Sequence, residues 1–258
     1  MKRGVYILPN GLTLGGMGFG FFSIVASLKG SYVEAGWAII IANIFDGMDG
    51  WVARMTNSTS RFGIELDSLS DLVAFGVAPA IMTYAWALRP AGRIGWGVAF
   101  LYVCCGALRL ARYNVQMVST EKKYFTGMPI PAAATILATF VIFHENHFEG
   151  MPVNSLFIIV LSVVLSIFMI STLRFHGLKE FDIKKRKPFP FLVLLILMVI
   201  IIMIDPPIML FVFAFLYMLV GIIENSYLLY ARRKKGVIVE PAGVIGVEQK
   251  AEHKKESH

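Results

Sequence analysis

The chain has 258 residues, of which 57% are hydrophobic and 16% charged, with 24 Lys and Arg against 17 Asp and Glu for a formal net charge of +7. The apolar residues come in long runs, which excludes a soluble globular domain and marks an integral, multi-pass protein of the cell membrane. No soluble basic domain exists to hold nucleic acid, so the positive excess reads as a topology signal with an added attraction to anionic membrane lipids.

A hydrocarbon core of ~30 Å asks for about 20 mostly apolar residues per spanning helix. Eight stretches come near that, at 11–28, 36–54, 64–88, 94–114, 129–144, 155–173, 190–204 and 208–231. Backbone groups in lipid must be satisfied internally and no stretch alternates with a strand period, so the expected fold is an all-α transmembrane bundle of about eight helices.

The first span lacks the profile of a cleaved signal peptide, and its glycines (Gly11, Gly15, Gly16, Gly18, Gly20) suit close helix packing. The second span ends in Asp46, Asp49, Gly50, Ala53 and Arg54; after eight residues the third opens on Gly63, Asp67 and Asp71, with Glu65 nearby but out of step. Cys104 and Cys105 are neighbours on the fourth span and point different ways, which fits neither a disulfide nor a metal site. Arg109 and Arg112 follow at its end, three residues apart on one face, with Tyr113 and Asn114. Pro129 and Pro131 set the start of the fifth span, where proline is tolerated in a first turn. His144, His147, His176, His253 and His258 read as surface or interfacial residues, and the last stretch, 232–258, as a basic, flexible tail.

With the N-terminus inside, only Lys29, Arg89 and Arg93 of the 24 Lys and Arg face out. This bias favours an even number of spans, both termini cytoplasmic, and the Asp-rich helix ends at the cytoplasmic face.

An ionised carboxylate at membrane depth costs roughly +2.5 to 3.5 kcal/mol even on the lenient insertion scale. Asp46 with Asp49, and Asp67 with Asp71, stand three or four residues apart and so share a helix face. Arg54 and Arg61 cannot offset four such acids. Hard oxygen ligands select Mg²⁺, Mn²⁺ or Ca²⁺, and two divalent ions would balance four Asp charges. Such a site beside a notch at Gly50 and Ala53 suits phosphoryl transfer, with one carboxylate free to take a proton. A divalent-ion transporter also uses intramembrane acids, but these cluster near one face and no inverted repeat is visible.

The spacing D-x-x-D-G-x-x-A-R, eight residues, G-x-x-x-D-x-x-x-D matches the signature of the CDP-alcohol phosphotransferases at all eight positions, and the chain resembles that family over about residues 8–175. The resemblance implies a six-helix core over 1–175; beyond it the sequence reads as a basic cytoplasmic loop at 176–189 and an additional transmembrane hairpin at 190–231. It implies that Asp46, Asp49 and Asp67 bind metal, two Mg²⁺ or Mn²⁺ ions, and that Asp71 contributes to metal binding and acts as the general base. Asp46, Gly50, Ala53, Arg54 and Gly63 are implied to shape the CDP site, and a homodimer is implied. Leu8 to Thr13, Arg109 to Asn114 and Thr126 to Ala134 resemble the branch that transfers a phosphatidyl group from CDP-diacylglycerol to L-serine, releasing CMP. Serine carries a carboxylate and an ammonium, and a guanidinium holds a carboxylate through two hydrogen bonds, which suits Arg109 or Arg112 with Tyr113 and Asn114. Phosphate steering or positive-inside anchoring are alternative roles for these residues, and glycerol 3-phosphate or inositol phosphate are alternative acceptors.

Overall fold

Apolar sequence that must satisfy its backbone internally folds as helix, and no strand occurs among the described residues of the computed structural model, which are 7–56, 58, 60–118, 127–148, 150, 151, 153–171, 193, 196, 197 and 200–234. The helices with described bounds are α1 (Ile7–Leu28), α2 (Tyr32–Met55), α3 (Arg61–Ala91), α4 (Arg93–Val118), α5 (Ile130–His147), α6 (Ser155–Ile170) and α7 (Pro206–Lys234), and the described residues 193, 196, 197 and 200–204 are helical as well. The chain divides into two units, Met1–Gly221 and Ile222–His258; of the second, the helical residues 222–234 are described. The loop expected at 176–189 and the tail beyond 234 lie outside the described residues, as does much of the span expected at 190–204.

The protein is a helical membrane protein, although only α1, α3 and α4 among the described helices are both long and apolar enough to cross a bilayer alone. The shortfall against eight uniform spans has local causes. Glu34, Asp46, Asp49 and Arg54 interrupt α2, α5 ends in His144-Glu145-Asn146-His147, and α6 is 16 residues long. Helix ends also run past the apolar windows, because the residues that cap them are polar. α3 starts at Arg61, three residues before its expected start, because the Ser60 side chain accepts from the Gly63 N–H at 3.0 Å.

The interior of the first unit combines large buried side chains such as Phe75, Met82, Leu88 and Leu137 with small residues where helices approach closely. On α1 the buried face carries Pro9, Thr13, Gly16, Gly20, Ser23, Ala26 and Ser27, while Phe21 and Phe22 point outward. Gly15 and Gly16 receive Phe45 and the Ala42 carbonyl of α2, and Gly20 lies against the Ala74 backbone of α3. A Cβ added to Gly11 or Gly18 would meet nothing within 4 Å, so the glycine run serves packing only on one face. Large apolar side chains such as Trp96, Phe100 and Val115 are exposed along α4, as lipid-facing positions require.

α3 is not a uniform helix. Its α-helical first part, Arg61–Asp71, widens to a π segment over Leu72–Val77, returns to α over Ala78–Thr83, and widens again over Tyr84–Leu88. Pro79 has no N–H for the Phe75 carbonyl one turn back, and the Tyr102 hydroxyl of α4 donates there instead at 3.3 Å. In the second π segment, Tyr32 donates to the Ala85 carbonyl at 3.1 Å and Ser155 to that of Ala87 at 2.7 Å. The irregular turns of α3 are thus anchor points for α2, α4 and α6. Near the far end of α3, Trp86 packs on His144 and donates to Glu145, so His144 is a packed residue and not a simple surface one. His147 reaches Asp205, just before α7, at 3.3 Å.

A Cβ on Gly20 would sit 2.6 Å from the Ala74 Cα, which is backbone and cannot step aside. Gly20→Val is expected to destabilise the protein by about 1–3 kcal/mol, the usual cost of overpacking. Gly18→Val, on the open face, should be near neutral. Thermal unfolding of both variants in detergent checks the pair; equal effects would show that α1 does not pack on α3 through Gly20.

Candidate active site

The acidic helix ends are brought side by side by the turn between α2 and α3. Ser58 donates its backbone N–H to the Ala53 carbonyl at 3.0 Å, the Thr56 hydroxyl donates to Val52 at 2.8 Å, and Ser60 caps α3. The chain therefore reverses within a few residues, and the last turns of α2 face the first turns of α3. Asp46, Asp49 and Asp67 each offer a carboxylate oxygen, and the three oxygens lie within 4.8 Å of one another. Asp49 is buried, at 6% exposure, while Asp46 and Asp67 are half-buried.

Asp71 does not join that group of three. It lies one turn further along α3 and lines the same narrow gap, too tight for a water molecule, as Asp46, Asp49 and Asp67, together with Thr13, Ser70 and Phe75. The charges that act on it are those of Asp46, Asp67 and Asp49 and, with opposite sign, the Arg109 guanidinium of α4. Three of the four acids therefore cluster, and the fourth stands one turn away within range of the Arg109 charge.

An open cavity of about 180 Å³ adjoins the gap. Gly50, Ala53 and Arg54 of α2 line it, as do Ser60, Gly63 and Ile64, and α1 closes it with Pro9, Asn10 and Thr13. A side chain at Gly63 would meet Ser60 Oγ at 3.2 Å and Asn10 Oδ1 at 3.4 Å, so the glycine keeps this space open. Asp49, Asp67 and Thr13 border both the gap and the cavity. Asp46 borders the inner gap.

The acidic spacing assigns no role to Pro9, Asn10 and Thr13. The available signal is a polar residue on the glycine face of an otherwise apolar helix. Thr13 is buried and its hydroxyl donates to Asp49 Oδ2 at 2.7 Å.

The four candidate acceptor residues separate as well. Arg109 lies within electrostatic reach of Asp71, its Nε buried and without a hydrogen-bond partner among the described residues, and Tyr113 of α4 and Tyr217 of α7 are in electrostatic reach of its guanidinium. Arg112 donates from Nη1 to the Ile170 carbonyl at 2.9 Å, closing the C-terminal end of α6. Asn114 bonds Ser68 at 3.0 Å and Glu65 at 3.4 Å, tying α4 to the first part of α3. Of the arginine pair, Arg109 is the one directed toward the acids.

The donor set fits a divalent cation. Magnesium–oxygen distances of about 2.1 Å place ligand oxygens roughly 3 to 4.2 Å apart, close to the observed grouping. At 4.8 Å two carboxylates repel by about 3 kcal/mol at an effective dielectric of about 20, so a bound cation relieves a real strain.

Comparison with known proteins agrees with this geometry. The sequence profile of the CDP-alcohol phosphatidyltransferase family matches residues 6–168. The chain is 41% identical over 177 residues to CDP-diacylglycerol–serine O-phosphatidyltransferase of Helicobacter pylori (strain J99), covering 68% of this chain and 74% of that protein. It is 43% identical over 135 residues to archaetidylserine synthase of Methanothermobacter thermautotrophicus, covering 52% and 57% of the two chains. It is 36% identical over 153 residues to CDP-diacylglycerol–serine O-phosphatidyltransferase of Methanocaldococcus jannaschii, covering 59% and 69%.

Removing one carboxylate from a mutually repelling cluster should stabilise the metal-free protein. Asp67→Asn is expected to raise the melting temperature in chelator by a few degrees, in line with about 1 kcal/mol or more of relieved repulsion. The same variant should lose the further rise that Mg²⁺ or Mn²⁺ gives the unmodified protein. A lower melting temperature in chelator would make Asp67 a structural acceptor instead.

Proposed function

Because the chain belongs to the CDP-alcohol phosphatidyltransferase family, we propose that it transfers the phosphatidyl group of CDP-diacylglycerol to the hydroxyl of L-serine, giving phosphatidylserine and CMP. The observation that carries the reading is the convergence of Asp46, Asp49 and Asp67 on one point beside a cavity kept open by Gly50, Ala53 and Gly63. The relatives' names support the acceptor: they differ in the lipid, diacylglycerol in one and archaetidyl in another, and share serine.

In this reading the outer cavity takes the CDP moiety, with Arg54 at its rim, and the acyl chains stay in the bilayer between helices. Asp46, Asp49 and Asp67 would hold the cation, with Asp71 contributing. Bound there, Mg²⁺ or Mn²⁺ would neutralise the diphosphate and the charge that develops on the departing CMP. Serine enters on the inner side, where Arg109 meets its carboxylate and Tyr113 lies alongside. Asp71 accepts the hydroxyl proton, a bond forms between the serine oxygen and the lipid-bearing phosphorus, and the bond from that phosphorus to CMP breaks. Arg112 and Asn114 support the site by joining α4 to α6 and α3. The distribution of Lys and Arg supports placing this chemistry at the cytoplasmic face with both termini inside. A homodimer is part of the same reading.

Purified protein in detergent with CDP-diacylglycerol and Mg²⁺ or Mn²⁺ is expected to release CMP with L-serine, and not with glycerol 3-phosphate or inositol phosphate. Release only with a phosphorylated alcohol would keep the chemistry and overturn the acceptor. Metal uptake into vesicles without CMP release would favour a transporter. Asp71→Asn should lower kcat by about 10²-fold or more, the usual worth of a general base, while keeping the metal-induced rise in melting temperature. A near-normal rate in that variant would remove Asp71 from the role of base.

A further inference from the structure

We propose that Thr13 is a positioning residue that holds the Asp49 carboxylate in its cation-binding orientation, an inference that rests on reading the three clustered acids as a metal site. Thr13 belongs to α1, which contributes no carboxylate to the cluster, yet it borders both the inner gap and the open cavity. A threonine inside a helix usually bonds the carbonyl four residues back. Here that carbonyl, of Pro9, is 3.1 Å away, and Asp49 Oδ2 is closer at 2.7 Å.

Both partners are buried at 6% exposure, and Asp49 is the most buried of the three acids. Its orientation is the one solvent can least adjust. The bond engages one lone pair of Oδ2 and fixes the plane of the carboxylate. A hydroxyl is also neutral, so it fixes the carboxylate without cancelling the charge that attracts the ion, which an Arg or Lys in the same place would do. The hydroxyl is itself held: Ser70 Oγ of α3 donates to the Thr13 carbonyl at 3.0 Å, and Gly16, one turn on, brings α1 against α2. Thr13 therefore fixes an α2 ligand from an α1 position that α3 keeps in register. Hydrogen bonds that orient metal ligands typically carry about 10- to 100-fold in metal affinity.

The test uses full-length protein in detergent without lipid substrate. Mn²⁺ is titrated and the unbound ion read by its paramagnetic resonance signal, with the melting temperature followed at each concentration. Thr13→Val keeps the volume and removes the hydroxyl; it is expected to need about tenfold more Mn²⁺ for half-saturation. Thr13→Ser restores the donor and should bind within about twofold of the unmodified protein. Thr13→Ala removes the hydroxyl without branched bulk and serves if valine disturbs packing. Val and Ala variants that titrate like the unmodified protein would overturn the inference, including the case in which they change only the KM for CDP-diacylglycerol. Failure of the unmodified protein to bind Mn²⁺ is a separate result, which would overturn the metal reading itself.

Discussion

The structure is organised around the mutual repulsion of carboxylates at the edge of an apolar bundle. Asp46, Asp49 and Asp67 present oxygens within 4.8 Å of each other, and Asp71 lines the same narrow gap one turn away. Left alone, such a cluster would drive α2 and α3 apart. It is held by covalent proximity across a capped turn, by the Thr13 hydroxyl, and by Arg109 on the side of Asp71. Carboxylates grouped in this way attract positive charge.

The surrounding fold reads as support for that cluster. α1 approaches α2 and α3 closely through Gly16 and Gly20, which lets Thr13 reach across to Asp49. α3 begins as an ordinary helix carrying Asp67 and Asp71, then widens, and its displaced carbonyls accept from Tyr102, Tyr32 and Ser155 on three other elements. α4 returns Arg109 to the acids, and Arg112 and Asn114 keep it there by bonding α6 and α3. Of the candidate acceptor residues, Arg109 thus acts on Asp71, while Arg112 and Asn114 bond α6 and α3.

Much of the site was legible in the order of residues, because helical periodicity alone puts Asp46 with Asp49 and Asp67 with Asp71 on shared faces, and Gly50 and Gly63 mark where side chains are excluded. The hydrophobic pattern likewise announced a helical membrane protein. It located spans less well where function places charge in a helix: α2 carries three acids and an arginine, so an apolar window starts it late. Widened turns such as Leu72–Val77 leave no periodic signature, since they follow from Pro79 and from hydroxyls supplied by distant helices.

Sequence by itself determined the acids and their spacing, the small residues beside them, and the membrane setting, all set by local spacing and composition. Tertiary structure alone decided that Thr13 bonds Asp49, that Arg109 acts on Asp71, and that Arg112 bonds the end of α6 instead. The physical reason is that these distinctions are contacts between helices far apart in the chain, such as Thr13 with Asp49 and Arg112 with Ile170. Their existence depends on how closely the helices approach and at what rotation, which no single segment encodes.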